Sequence, residues 1–189
     1  MAQGRPAVTS RAELEQVALE LFAARGFDAT TVDDIAEAAG IARRTFFRYF
    51  ASKNDIVWGD FDGALDELRA NLQRVPDEVP LMTAVTDAVV AFNHLPAGAE
   101  AQHRLRMTMV LHTPALQAHS TLRYAGWRAV IAEFAGRRLG VPATDFAPQL
   151  LAHQVLGSCV AAYEQWLNHH EADLKALLST GLGRLASSW

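Results

Sequence analysis

Residues 30–55, TTVDDIAEAAGIARRTFFRYFASKND, decide how this 189-residue chain is read. Thr31 is a good N-cap, because its hydroxyl can accept from a backbone N–H of the first turn. Behind it Val32, Ile35, Ala36 and Ala39 fall on one apolar helical face. Gly40 stands where a helix needs a left-handed residue just past its C-terminus. A second helix is predicted from about residue 42 to 49, burying Phe46 and Phe50, four apart. Its opposite face carries Arg43, Arg44 and Phe47, with Arg48 at the edge. Two helices split by a short glycine turn, the second basic on its outer side, describe a helix-turn-helix whose second helix enters the major groove of DNA.

Working outward, Ser10 and Glu13 make a capping box that opens a helix bearing Leu14, Val17, Ala18, Leu21 and Phe22 at helical spacing. Gly26 ends that helix, and Phe27 is placed to plug a three-helix core. Residues 1–9, with Gly4, Arg5 and Pro6, read as a flexible arm from which Arg5 could reach the minor groove. On the other side Ser52 and Asp55 form a second capping box. One continuous helix is predicted from there to about residue 74, with Trp58, Phe61, Leu65, Leu68 and Leu72 on its stripe, a rigid lever leading away from the DNA. Breaks at residues 75–80, around Pro96, at Pro114 and at residues 140–145 separate further helices over about 81–94, 100–112, 115–139, 146–169 and 171–185. No strand-like alternation occurs. The expectation is an all-α chain of about nine helices, with a helix-turn-helix DNA-binding domain over 1–52 and a helical ligand-binding and dimerisation domain over 53–189.

The motif GIARRTFFRYFASKNDI (residues 40–56) resembles the signature of the TetR family of bacterial transcriptional regulators. Gly40, Ile41, Thr45, Phe46, Tyr49, Phe50, Lys53, Asp55 and Ile56 match that pattern. Ala42, Arg44 and Phe47 depart from it, replacing a usual Ser, a frequent Gly and a usual Tyr. The loss of a hydroxyl and a phenol removes two phosphate hydrogen bonds, and Arg44 can restore part of that attraction. The resemblance implies a homodimeric repressor on double-stranded operator DNA, with Thr31, Arg43, Arg44, Thr45, Phe47, Arg48, Tyr49 and Lys53 at the DNA. Arg43 and Arg44 are the candidates for guanine edges, and Thr31, Thr45, Tyr49 and Lys53 for phosphates. The runs SKNDIVWGDFD and RRTFFRYF further resemble actinobacterial regulators associated with mycofactocin gene clusters, which implies an acyl-CoA-like effector.

Composition agrees with a folded protein: half of the residues are hydrophobic and a fifth charged. The formal net charge of −4 argues against indiscriminate coating of nucleic acid. Between Glu37 and Asp55, however, Arg43, Arg44, Arg48 and Lys53 stand with no acid among them, a local patch able to dock phosphates. No apolar run approaches the ~18 residues of a membrane span, and with a single cysteine, Cys159, the expected compartment is the cytoplasm. Cys159 lies inside an apolar helix and is expected in the core.

No phosphate-binding glycine loop, zinc-type cluster or nucleophile elbow is present, so neither catalysis nor a cofactor or metal is expected, and the seven histidines share no ligand spacing. An aromatic and Met-rich set, Trp58, Phe61, Leu65, Phe92, Met107, Tyr124, Trp127 and Phe134, is the candidate lining of an apolar effector pocket. Arg104, Arg106, Arg123 or Arg128 could meet an acyl-CoA's phosphates. Gly157 and Ala161 form a strip of small residues, and Leu174 and Leu178 belong to a leucine stripe; these are the candidate dimer contacts, since palindromic half-sites require a two-fold. The competing reading is a helical ligand-binding or scaffold protein, or an activator, that keeps the fold without operator repression.

Overall fold

A computed structural model describes residues 10–187 and 189. The candidate arm with Arg5 lies outside the described residues. Ten helices and no strand are present among them: α1 (Arg11–Arg25), α2 (Val32–Ala38), α3 (Arg43–Tyr49), α4 (Lys53–Trp58), α5 (Phe61–Gln73), α6 (Leu81–Phe92), α7 (Glu100–His112), α8 (Pro114–Leu139), α9 (Phe146–Asn168) and α10 (Leu174–Ala186). No described helix is long and apolar enough to cross a membrane. The chain forms two compact units. One runs to Gly59 and takes in 101–117; the other comprises 60–100 and 118–189. The sequence pattern places the division at residue 52; the compact units divide after Gly59, and 101–117 belong with the first.

In the first unit, local chemistry fixes the helix ends. Ser10 and Glu13 cap α1 reciprocally, and Thr31 and Asp34 do the same for α2. Past α2, Gly40 has φ 66°; its N–H bonds the Glu37 carbonyl, and Ile41 N–H bonds the Ala36 carbonyl. This paired pattern is a Schellman motif, and it turns the chain sharply into α3. Leu14, Ile35, Phe46, Ile56 and Val57 are fully buried at the centre, with Phe22 and Phe27 in ring contact at 5.0 Å.

The predicted lever helix from 53 to 74 is corrected. α4 stops at Trp58, Gly59 adopts φ 57°, and Asp60 caps the new helix α5 by accepting from Gly63 N–H. A side chain rarely adopts that φ, and a Cβ there would also meet the Arg106 guanidinium at 3.1 Å. The Ser52–Asp55 capping box is also corrected: the Ser52 hydroxyl donates to the Asp55 carboxylate at 2.8 Å and makes no bond to the backbone. α7 closes the unit through Arg106. Its guanidinium pairs with Glu15 of α1 and donates to the carbonyls of Ile56 (3.2 Å) and Val57 (2.8 Å) at the end of α4. Arg11 meets the Gly59 carbonyl at 3.0 Å.

In the second unit α10 packs on α9 and α6, and α6 on α5. Leu68, Leu72, Val85, Val89, Ile131, Leu151, Val155, Leu178 and Leu182 form its core. Arg137 of α8 donates to the Leu72 carbonyl at 3.0 Å, and Arg138 to the Asp77 carbonyl at 2.7 Å, which fastens the turn between α5 and α6.

Candidate nucleic-acid interface

α3 is short, and its placement is set by one face. Phe46 is wholly buried and Phe50 nearly so, their rings 6.0 Å apart, so Arg44, Phe47 and Arg48 are turned outward. Phe47 keeps 46% of its surface exposed, a large apolar side chain left on a basic helix. Arg44 is exposed and makes no hydrogen bond or ion pair among the described residues. Arg48 lies over the Tyr49 ring at 5.1 Å and donates to its hydroxyl at 3.3 Å. Arg43 is held differently: its Nη1 is 2.6 Å from the Asp33 carboxylate of α2, and its guanidinium sits 5.5 Å from the Phe47 ring centroid. Thr45 is half-buried, and the Thr31 hydroxyl is engaged with Asp34 in the α2 cap.

Lys53, expected at a phosphate, is engaged within the chain itself. Its ammonium is turned inward and donates to the carbonyls of Phe27 and Thr30, both at 2.7 Å, over the Phe27 ring at 4.3 Å. Burial there holds its pKa below the ordinary lysine value. Two short charge-assisted hydrogen bonds make it a staple between α4 and the turn before α2.

The candidate effector set divides between the units. Trp58 and Met107 belong to the first unit, and Phe61, Leu65, Phe92, Tyr124, Trp127 and Phe134 to the second. In the second unit Phe61, Phe92 and Trp127 form an edge-to-face series at 6.1 and 6.4 Å. Phe61, Leu65, Phe92 and Tyr124 are part-exposed, whereas Trp127 and Phe134 are core. Burial pushes the Tyr124 phenol up to about 12, with Cys159 beside it; Cys159 itself is buried, its thiol also pushed up to about 12. The Tyr163 hydroxyl donates to Asn93 Oδ1 at 2.7 Å, a polar point that sequence reading did not single out. Of the candidate phosphate-binding arginines, Arg106 is taken up by Glu15 and the α4 carbonyls, and Arg123 pairs with Asp62 at 2.9 Å. A cleft of about 950 Å³ opens elsewhere in this unit, among Asn93, His94, Trp166, His170 and Asp173.

The candidate dimer residues separate by face. Gly157 and Ala161 are exposed on α9, and a Cβ on Gly157 would meet nothing. Leu174 and Leu178 are corrected: both are buried in the chain's own core, where α10 packs on α6 and α9. Phe146, 78% exposed, falls on the same face of α9 as Gly157.

Comparison with known proteins adds the following. Residues 16–57 match the model of bacterial regulatory proteins of the tetR family, and residues 79–189 match the MftR C-terminal domain. A Mycobacterium tuberculosis protein, MftR, whose name assigns it to the regulation of mycofactocin biosynthesis, is 48% identical over 93% of this chain and 88% of its own. Among solved structures, FadR of Bacillus halodurans, a fatty acid degradation regulator, superposes with TM-score 0.71 at 17% identity, covering 95% of this chain and all of that one. FadR of Bacillus subtilis in complex with stearoyl-CoA superposes with TM-score 0.67 at 18% identity, again over 95% and 100%.

Proposed function

The chain belongs to the TetR family of bacterial transcriptional regulators, and from that premise we propose that it is a homodimeric repressor whose DNA hold is released by a long-chain acyl-CoA. The observation that carries the DNA half is the outer face of α3: Arg44, Phe47 and Arg48 point away from a core that fixes the helix, directly after a Schellman turn. Arg43 and Arg44 read guanine edges in the major groove, and Arg48, Thr45 and Tyr49 set the register on phosphates. Lys53 contributes indirectly, by holding α4 to the domain core. The protein acts in the cytoplasm, where operator DNA is reached.

The effector half rests on the aromatic series of the second unit, which is part-exposed at Phe61 and Phe92 and anchored on buried Trp127, and on the stearoyl-CoA complex of the B. subtilis regulator that shares its fold. Dimerisation through α9 is supported by its exposed face, where Phe146, Gly157 and Ala161 stand beside His153 and Glu164 and small residues allow a second copy to approach closely. An effector that prefers one conformer by about 1–3 kcal/mol changes operator affinity some 5- to 150-fold, and operator DNA must weaken effector binding by the same factor.

The test is a DNA titration by fluorescence anisotropy on duplexes selected from a random pool, with and without stearoyl-CoA. Wild type should enrich a palindrome. Arg44→Ala should lose about 1–3 kcal/mol and relax preference at one base pair per half-site. Selection of no sequence at all would sink the operator reading; unchanged affinity with stearoyl-CoA would sink the effector.

A further inference from the structure

Asp33 is an odd residue for a DNA-facing surface. It stands in the first turn of α2, beside the helix expected in the groove, and its carboxylate is 67% exposed. On charge alone it repels phosphates and weakens every DNA complex. Yet it lies 2.6 Å from Nη1 of Arg43, the first residue of α3. The same guanidinium is 5.5 Å from the centroid of Phe47, one turn on along α3. Phe47 in turn is fixed by an edge-on contact to the wholly buried Phe46, centroids 5.2 Å apart. Arg43 is thus held between a carboxylate of one helix and a supported ring of the next. An exposed pair of this kind, 58% and 67% open, adds little to stability. What it does change is the freedom of a long side chain.

We infer that Asp33 is a positioning residue for sequence readout: it holds the Arg43 guanidinium in the orientation that meets a guanine edge through two N–H donors. An arginine that reads O6 and N7 of guanine must present a planar fork, and an unrestrained arginine loses rotamer freedom on doing so. Asp33 and the Phe47 ring remove that freedom before DNA arrives, which favours the matched site over others. The inference rests on the proposed docking of α3 in the major groove. It differs from two simpler roles for Asp33, a bare repulsive charge and a pair that must break before Arg43 can bind. Both simpler roles predict that neutralising Asp33 tightens binding.

The experiment uses the full chain. Wild type first selects duplexes from a random pool. Affinities of wild type, Asp33→Asn, Arg43→Ala and the double variant are then measured on the selected duplex, on its single-base-pair substitutions and on a scrambled duplex, at one fixed salt concentration. Asp33→Asn should lower the ratio of selected to scrambled affinity about tenfold, with scrambled affinity equal to wild type or higher. The loss should fall on the base pair at which Arg43→Ala loses discrimination, and the double variant should discriminate no worse than Arg43→Ala. Equal tightening on both duplexes, equal weakening on both, or a loss at another base pair overturns the inference while leaving the docking of α3 intact. A wild type that selects nothing overturns both. Asparagine keeps the shape of an exposed residue, and a melting curve matching wild type shows that the fold is retained.

Discussion

Arg106 is the point at which the first unit can be tested most sharply. Replacing it with methionine keeps the aliphatic bulk and removes the guanidinium. Glu15 then loses its cation, and the carbonyls of Ile56 and Val57 lose a donor at the end of α4. Removing one partner of a fully buried pair costs about 3–5 kcal/mol, whereas an exposed pair is worth about 0–1 kcal/mol. The two side chains here are 16% and 20% exposed, so the expected loss lies between, near 3 kcal/mol with the lost bonds to the two carbonyls included. At a urea dependence of about 2 kcal/mol per molar, the midpoint of unfolding followed by circular dichroism should fall by about 1.5 M. Glu15→Gln, whose amide oxygen can still accept from Arg106, should cost less. The double variant should lose about 1–2 kcal/mol less than the two single losses added, because each change removes the same contact. A midpoint within about 0.3 M of wild type for Arg106→Met, or strict additivity in the double variant, would refute the clamp.

Gly59→Ala should destabilise by about 1–2 kcal/mol, since a side chain must adopt φ 57° and crowd Arg106; a stabilised variant would mean that α4 and α5 can fuse into one helix. His103, on α7, is held down to about 4 by burial and by Arg106, below its ordinary value. The unfolded chain therefore takes up a proton between pH 6.5 and 4 that the fold refuses, and stability falls with falling pH across that window. Urea midpoints at pH 7 and 4.5 should show a loss of about 2 kcal/mol in wild type, allowing for partial solvent screening, and a smaller one in His103→Asn; an equal loss in both would place the acid sensitivity elsewhere. Ala161→Arg should give monomers by light scattering and abolish operator binding, and a dimeric variant would exclude the α9 stripe as the interface.

What could be read in the sequence was what neighbours within a few residues decide. Ser10 with Glu13, Thr31 with its first turn, and Gly40 with the Schellman turn involve partners at most five residues away, and each formed where the pattern put it. The break at Gly59 escaped because the apolar spacing from Trp58 to Phe61 and Leu65 continues across it; the available signal was Gly59 followed by Asp60, a cap for Gly63. Lys53 was legible as a cation at a helix start, but its acceptors lie 26 and 23 residues away, beyond any local pattern. The leucine stripe of α10 states that a face is covered and not by what, so Leu174 and Leu178 read equally as core or interface until packing placed them. Arg106 was legible only as one of four arginines that could meet an acyl-CoA's phosphates; only folding brings it to Glu15, 91 positions away.

The first unit is written in two pieces, with all of α5 and α6 between them. A ribosome adding about 5–20 residues per second therefore finishes α4 several seconds before it has made α7. During that interval Glu15 and the last carbonyls of α4 wait for a guanidinium that has not yet been synthesised. The same layout bears on inheritance. A crossover just after Gly59, which would transplant α1 to α4 onto another relative's body, separates Glu15 from Arg106 unless the recipient carries an arginine at the matching place. A chimera that parts the two ends of that ion pair is expected to lose the stability that the pair supplies.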